Sequence, residues 1–212
     1  MKRKVRQYRV SKGLVFVISG PSGSGKGTVV DILREIYPEV GVAVSATSRA
    51  PREGEIEGVS YYYKTREEFE QLIKNDEVLE YTQYNGNYYG TLKSEAERIT
   101  ADGSDMILEI EVDGAGQVKK LLGDTCVVIM LIAPNAAEQE RRLRGRGTES
   151  EDVIKARLER AKAEIALAEK YDYVVVNATG HSDECAKHIV SIIKAEHLRY
   201  KRVETFIKEY FA

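Results

Sequence analysis

The chain has 212 residues, 42% of them apolar and 31% charged, which is enough to bury a core as one domain with insertions and unlike the composition of a disordered segment. A formal net charge of -2 argues against a general nucleic-acid binder, and the basic cluster Lys2, Arg3, Lys4, Arg6 and Arg9 reads as a solvated tail. The longest apolar run, Cys126 to Ala133, is too short to cross a bilayer and the N-terminus lacks the apolar stretch of a secretory signal, so the expectation is a cytoplasmic protein with no nucleic-acid and no membrane partner.

In chain order, the apolar run at 14–19 predicts a buried strand, and Gly20 to Thr28 follows it directly, reading Gly-Pro-Ser-Gly-Ser-Gly-Lys-Gly-Thr. A helical pattern opens at 26–36. Strand, glycine-rich loop and helix in this order make a phosphate loop: Gly20, Gly23 and Gly25 let consecutive NH groups point inward, Lys26 adds a full charge beside the β and γ phosphates, and the helix contributes its dipole. A nucleoside triphosphate suits this geometry. The position after Lys26, usually a Mg²⁺-binding Ser or Thr, is Gly27, which leaves Thr28 as the candidate hydroxyl, directly or through a water.

Further strands are expected at 42–47, 106–110, 126–133 and 173–176, and helices near 114–122, 135–144, 151–170 and 182–199. Continuous apolar strands between helices indicate a doubly wound α/β fold with a parallel sheet covered on both faces. From Ser48 to Lys93 the rhythm changes to tyrosine-rich, alternating segments at 60–64 and 78–84, with Thr65-Arg66-Glu67-Glu68 as a capping box opening a helix through Asn75. This stretch reads as an inserted subdomain. Cys126 and Cys185 have no His or Cys at metal-ligand spacing and read as packing residues.

In the insertion, Arg49 and Arg52 stand three apart in the loop Ser48-Arg49-Ala50-Pro51-Arg52, a spacing that suits a planar fork grip on a phosphate completed by tyrosine hydroxyls; solvated loop charges are the alternative. Ser45, Glu55, Tyr61, Glu80, Tyr89 and Thr91 lie in the same polar and aromatic segments. Glu109 and Glu111 close the strand Met106-Ile-Leu-Glu-Ile-Glu, at the carboxyl edge where ligands gather in open parallel sheets, and two acids there invite a cation. Asp113 reads as a helix N-cap. The run Arg141-Arg142-Leu143-Arg144-Gly145-Arg146-Gly147, with Arg157 on the next helix, suits a mobile lid over a transferring phosphate; a solvated basic loop is the alternative. His181, His188 and His197 have no partner acid pattern and read as surface residues.

Four motifs, Gly20-Pro-Ser-Gly-Ser-Gly-Lys, Thr47-Ser-Arg-Ala-Pro-Arg-Glu-Gly-Glu, Gly86-Asn-Tyr-Tyr-Gly-Thr and Gly145-Arg-Gly-Thr-Glu-Ser, stand in the order in which guanylate kinases carry them, and the chain resembles that family over residues 13 to 195. The resemblance implies a core of about 13–47 and 94–195, a GMP-binding insertion of about 48–93, an arginine-bearing lid of about 142–157 and a C-terminal segment 196–212. The implied reaction is transfer of the γ-phosphoryl group of ATP to GMP, with dGMP also expected, giving ADP and GDP with Mg²⁺. By the same resemblance Gly20, Pro21, Ser22, Gly23, Ser24, Gly25, Lys26, Gly27, Thr28, Arg146 and Asn177 would meet ATP. Arg49, Arg52, Tyr61 and Tyr89 would hold the GMP phosphate, Ser45, Glu80 and Thr91 would meet the guanine, and Glu109 and Glu111 would stand near the base and the Mg²⁺ waters. Lys26, Arg49, Arg142, Arg146 and Arg157 would carry catalysis.

Guanine offers donors at N1 and N2, so a carboxylate facing them accepts two hydrogen bonds, whereas adenine presents an acceptor at N1 and would be repelled. Glu80 is therefore the expected specificity residue, although a Glu flanked by Leu79 and Tyr81 on a strand could equally face outward. Two rivals stay open: a kinase for another nucleoside monophosphate, and a guanylate-kinase-like protein-binding module, against which the intact Lys26 and arginines argue. The C-terminal aromatic residues Tyr200, Phe206, Tyr210 and Phe211, with Ile207, could pack on the core or on another copy, leaving a homo-oligomer open.

Overall fold

The computed structural model describes residues 13–145 and 150–210; the basic N-terminal cluster, Arg146 and Phe211 lie outside them. Five parallel strands form the central sheet: β1 Val15–Ser19, β2 Gly41–Val42, β7 Met106–Glu109, β8 Cys126–Ile132 and β9 Tyr173–Val176, in the spatial order β2-β7-β1-β8-β9. β1 is thus central, with Val15 opposite Met106 on one side and Cys126 on the other.

These strands read as unbroken apolar runs because both faces are covered, and residue parity decides which face each side chain serves. Leu14, Phe16, Ile18, Ile107, Ile129 and Leu131 pack under α1 Lys26–Ile36 and α7 Ser182–Glu196, through Val29, Leu33, Ala186, Ile189 and Ile193. Val15, Val17, Met106, Leu108, Cys126 and Val128 pack under α3 Lys93–Thr100 and α4 Val112–Leu122, through Ala96, Ile99, Ala115 and Val118. Both cysteines are buried, which pushes the Cys126 thiol up to about 12 and the Cys185 thiol to about 11. α5 Ala136–Arg144 and α6 Glu151–Ile165 follow β8, and α8 Tyr200–Lys208 ends the described chain. Among the described residues no helix is long and apolar enough to cross a membrane.

A second sheet of four strands lies beside the first, in the order β4-β3-β6-β5: β3 Ala46–Thr47, β4 Tyr62–Tyr63, β5 Val78–Tyr84 and β6 Asn87–Leu92. It has a small core of its own, in which Ala46, Val78 and Phe69 meet Tyr88, with the rings of Phe69 and Tyr88 stacked 5.2 Å apart. Phe69 comes from α2 Arg66–Lys74, which opens on the expected capping box: Glu68 NH donates to Thr65 Oγ1 and Thr65 NH to the Glu68 carboxylate. β5 and β6 are joined by Asn85 and Gly86, both at positive φ as a tight hairpin turn requires.

The strand expected over 42–47 is two strands in two sheets. Ala43 NH still bonds Ile107 O in the parallel sheet, while Val44 NH turns to the Glu95 carboxylate at 3.1 Å and Tyr62 NH bonds Ser45 O in the other. Glu95, 3% exposed at the start of α3, also accepts from Tyr62 OH and from both donors of the Arg98 fork. Burial works against its charge, but Arg98, the Val44 amide and the Tyr62 hydroxyl outweigh it and hold the carboxyl below the usual range. Two helices end before the expected residue: α6 stops at Ile165 and a 3₁₀ turn takes over at Ala168–Lys170, and α7 stops at Glu196. Replacing Glu95 by Ala strands the Val44 amide at the junction of the sheets, and urea unfolding is expected to show a loss of about 2–3 kcal/mol. A loss below about 0.5 kcal/mol would show that the junction does not depend on this carboxylate.

Candidate functional site

A cleft of about 790 Å³ opens between the carboxyl ends of the parallel strands and the second sheet. On one wall lie Pro21 to Thr28; on the other lie Ser45, Tyr61, Glu80 and Tyr89; Glu109, Glu111 and Arg157 complete it. The cleft thus brings together part of each half of the site expected from sequence; Arg49, Arg52, Thr91, Arg142 and Asn177 are not among the residues that line it.

The loop after β1 owes its shape to glycine at points where a side chain has no room. A Cβ on Gly20, at φ 150°, would sit 2.0 Å from Leu131 O, and one on Gly25, in the left-handed region at φ 88°, would sit 2.5 Å from Asn177 Nδ2. Gly25 caps α1 without a side-chain hydrogen bond, so the first amides of that helix face the cleft. Lys26 Nζ donates to Gly20 O at 2.6 Å and lies 3.5 Å from a Glu111 oxygen, which fixes the ammonium group across the loop. Ser24 O accepts from Asn177 Nδ2 at 2.9 Å and from Arg142 Nη1 at 3.2 Å; Arg142 also donates to Asn177 O and Glu138. In this structure Arg142 and Asn177 brace the loop from behind. Arg157 reaches it from α6, donating to Ser22 Oγ at 2.9 Å. Arg141 and Arg144 pair with Glu138 and Glu140 on α5. Arg146 lies outside the described residues.

In the second sheet Arg49 is engaged by Glu55 through both terminal nitrogens, at 3.0 and 2.9 Å, and lies over the Tyr61 ring. Glu55 also accepts from Arg52 NH and Tyr63 OH, and the Arg49 fork first, with these two donors, holds its carboxyl down at about 2. The Tyr61 and Tyr89 rings meet edge to face 6.1 Å apart. Arg49, Tyr61 and Tyr89 therefore form one cluster, to which the exposed Arg52 is tied only through its backbone amide on Glu55.

Glu80 is 4% exposed, with Oε1 accepting from Thr91 Oγ1 at 2.9 Å and, among the described residues, no basic side chain bonded to it. Burial pushes its carboxyl up to about 7, against the pull of the Thr91 hydroxyl and amide. The outward alternative for Glu80 is excluded. A bulge explains why: Val78 pairs with Leu92 and Glu80 with Thr91, so residue 79 is extra, Val78 enters the small core and Glu80 turns to the cleft. Thr91 is fully buried and meets the cleft only through Glu80. Glu109, whose carboxyl is also raised by burial and eased by Lys26, faces Gly27: a Cβ there would lie 3.8 and 4.0 Å from its two oxygens.

Among the described residues no group of three or more His, Cys, Asp or Glu side chains could hold a metal. The donor set that remains, Thr28, Glu109 and Glu111 around the side-chain-free Gly27, fits a hard cation that keeps its waters and is held largely by a ligand's phosphates, which is how Mg²⁺ binds.

Asp113 does not cap α4: Glu111 holds the N-cap position and Asp113, in the first turn, pairs with Arg160 at 3.6 Å. His197 is half-buried with Nε2 2.7 Å from Asp105 Oδ2, a partner 92 residues away that local pattern cannot show. The cleft also takes Thr82, Gln83, Gly114 and Arg160, which sequence reasoning missed.

A carboxyl raised from 4.5 to about 7 lets the folded protein hold a proton that the unfolded chain has lost, so Glu80 weakens the fold as pH rises through that window. The stability of Glu80→Gln relative to wild type is expected to grow by up to about 3 kcal/mol between pH 4.5 and 8 in urea unfolding, and a difference independent of pH would contradict the buried carboxyl.

A guanylate kinase family model matches residues 12–196. Guanylate kinase of Streptococcus thermophilus is 48% identical over 196 residues, covering 91% of each chain, and that of Bacillus anthracis is 45% identical over 202 residues, covering 95% of this chain and 97% of its own. The crystal structure of guanylate kinase from Anaplasma phagocytophilum superposes with a TM-score of 0.71 at 34% identity, covering 92% of this chain and 91% of that one. A glycine-rich loop between β1 and α1, a buried carboxylate across the cleft from it and relatedness along nearly the whole length agree: this chain belongs to the guanylate kinase family.

Proposed function

We propose that the chain transfers the γ-phosphoryl group of ATP to GMP, and to dGMP, giving ADP and GDP. The observation that carries this reading is a single cleft with a phosphate loop on one wall and the buried Glu80–Thr91 pair on the other. The ionised Glu80 accepts from guanine N1 and N2, and a hydroxyl from Ser45 serves O6; Thr91 orients Glu80 from behind. A site built this way rejects an analogue lacking its partners by roughly 10⁴ to 10⁵, because its own groups would stay buried and unpaired.

The GMP phosphate meets Arg49 and Arg52 with Tyr61 and Tyr89, and Glu55 keeps the Arg49 fork in place before the nucleotide arrives. The ATP phosphates lie in the loop 20–28, where the first amides of α1 and Lys26 take up their charge. An oxygen of the GMP phosphate attacks the γ phosphorus as the bond to the β-phosphate oxygen breaks, so ADP leaves with that electron pair. The nucleophile is already an anion and needs no protein base. Positioning and charge stabilisation carry the rate, with Lys26 and Arg157 on the transferring group and Arg142 and Asn177 stiffening the loop. Mg²⁺, when bound among the phosphates near Thr28, Glu109 and Glu111, neutralises charge on the β and γ oxygens. Soluble nucleotide substrates fit a cytoplasmic site of action.

ADP release from Mg-ATP, measured with GMP, dGMP, AMP, CMP, UMP and dTMP offered separately, is expected with GMP and dGMP alone; turnover with another base would overturn the assignment. Lys26→Ala is expected to lower kcat by about 10³ or more with the circular dichroism spectrum unchanged. Because Glu80 must give up its proton to accept from guanine, KM for GMP is expected to rise by up to about tenfold per pH unit below about 7, and calorimetry in two buffers should show proton release on GMP binding near pH 7. A pH-independent KM between 6 and 8 would remove the carboxylate from base recognition.

A further inference from the structure

α4 meets the edge of the second sheet at the residue that carries the cleft's buried acid. β5 is the outermost strand, so the backbone of its free edge has no strand partner. Gln117 of α4 supplies one: its side-chain Oε1 accepts from Tyr81 NH and its Nε2 donates to Tyr81 O, both at 3.4 Å, so one amide imitates the next strand of the ladder. The bonds are long and weak singly. Acting as a pair on one residue, they fix the height of the strand against the helix.

One turn earlier on the same face stands Gly114. A Cβ on it would lie 2.7 Å from Glu80 Oε2, closer than a real Cβ can approach, with Ile110 Cδ1 at 3.3 Å and Glu80 Cδ at 3.4 Å. Glycine in a helix is a conformational cost, and α4 bears it twice, at Gly114 and Gly116. The two positions differ in what surrounds them: Gly116 has nothing within 4 Å of a built Cβ. Only at 114 does the missing methyl make room for another group. On the opposite side of the strand a Cβ on Gly90 of β6 would lie 2.4 Å from Glu80 O, so the Glu80 backbone is closed in there as well.

We infer that Gly114 and Gln117 form a seat on α4 that sets where the Glu80 carboxylate stands, Gln117 by holding its strand and Gly114 by leaving space for Oε2, and that this seat determines affinity for the guanine base. Both are positioning residues, and the inference rests on the reading of Glu80 as the group that meets guanine. α4 is a firm base for such a seat, because Ala115 and Val118 on its inner face are buried in the sheet core. Leu79, the extra residue of the bulge, is buried in that same cluster, so the strand is anchored to the core immediately before Glu80.

The atom in the way of a methyl at 114 is the tip of a rotatable side chain. Gly114→Ala therefore folds, with the carboxylate displaced rather than the helix, and a misplacement of about 1 Å at a binding group can cost about 100-fold.

The experiment is steady-state kinetics on the purified full chain, with KM for GMP and for ATP measured separately in Gly114→Ala, Gln117→Ala, Glu80→Gln and Gly116→Ala, together with Glu80→Asp alone and in the Gly114→Ala background. Gly114→Ala is expected to raise KM for GMP by about tenfold to 100-fold and Gln117→Ala by about threefold to tenfold, with KM for ATP unchanged. Gly116→Ala should leave both KM values unchanged and raise Tm by up to about 4 °C. The shorter acid of Glu80→Asp weakens GMP binding alone but relieves the methyl, so the double variant should bind GMP no worse than Gly114→Ala. Additive costs in that pair, or equal rises in both KM values with a lowered Tm, would overturn the inference. If Glu80→Gln impairs GMP while Gly114→Ala and Gln117→Ala do not, the seat fails and the reading of Glu80 stands; if Glu80→Gln leaves KM for GMP unchanged, both fall.

Discussion

At the carboxyl end of β1 the chain must leave a strand buried on both faces and enter a helix without colliding with β8, and only glycine passes. Gly20 runs so close to Leu131 O that any side chain would displace β8, and Gly25 enters α1 from the left-handed region. The rest of the cleft follows from that passage. Because the loop is forced to curl, Ser24 O points back to Asn177 at the end of β9 and to Arg142 on α5, so the ends of β1 and β9 and the last turn of α5 are tied to one peptide group. Helix amides and Lys26 are then left on the open side, facing the second sheet.

Two kinds of carboxylate stand out among the described residues. Glu55, Glu95 and Glu138 each hold arginine and are kept below the usual range; they orient cations and close junctions. Glu80, buried, and Glu109, at the cleft-facing end of β7, have no arginine bonded to them among the described residues, and loss of hydration pushes both carboxyls upward. The first kind gives rigidity before any ligand arrives, which lowers the ordering cost of binding. The second is in a state that a ligand's donors or a cation would relieve, and both members line the same cleft. A separation of carboxyl environments of this sort marks which acids are structural and which are held for a ligand.

Much of this was legible in the sequence where the signal was local. The parallel strands announced themselves as apolar runs because two helical layers cover them, and the phosphate loop because its glycines, lysine and flanking elements are contiguous. The Thr65–Glu68 capping box was equally direct. What escaped was decided by distant partners. No pattern within 42–47 tells that Val44 will turn to a carboxylate 51 residues away and split one strand between two sheets. The bulge at residue 79, the Gln117 amide on Tyr81 and the His197–Asp105 pair have no local signature, since each depends on elements meeting in space. The β5–β6 hairpin did carry a signal, the Asn85-Gly86 dipeptide between alternating segments, and it locates β6 without recourse to the fold.

The two sheets are joined by covalent chain at two places only, between Val42 and Ala46 on the way in and at Leu92 and Lys93 on the way out. Both crossings converge on Glu95, which sits on the outgoing helix and binds the incoming backbone at Val44. Mechanically this is a single pivot rather than a span. Turning the second sheet against the first about these residues would leave every ladder within each sheet intact, but it would pull Leu79 from the core cluster of the parallel sheet and break the bonds of the Gln117 amide to Tyr81. The axis of such a turn would run past Glu95, at the far end of α3 from Thr100, whose carbonyl is tied to Gly13 at the entry to β1. The angle between the sheets, and with it the width of the cleft, is thus coupled to the packing of one bulge residue, Leu79, as well as to the crossing at Glu95.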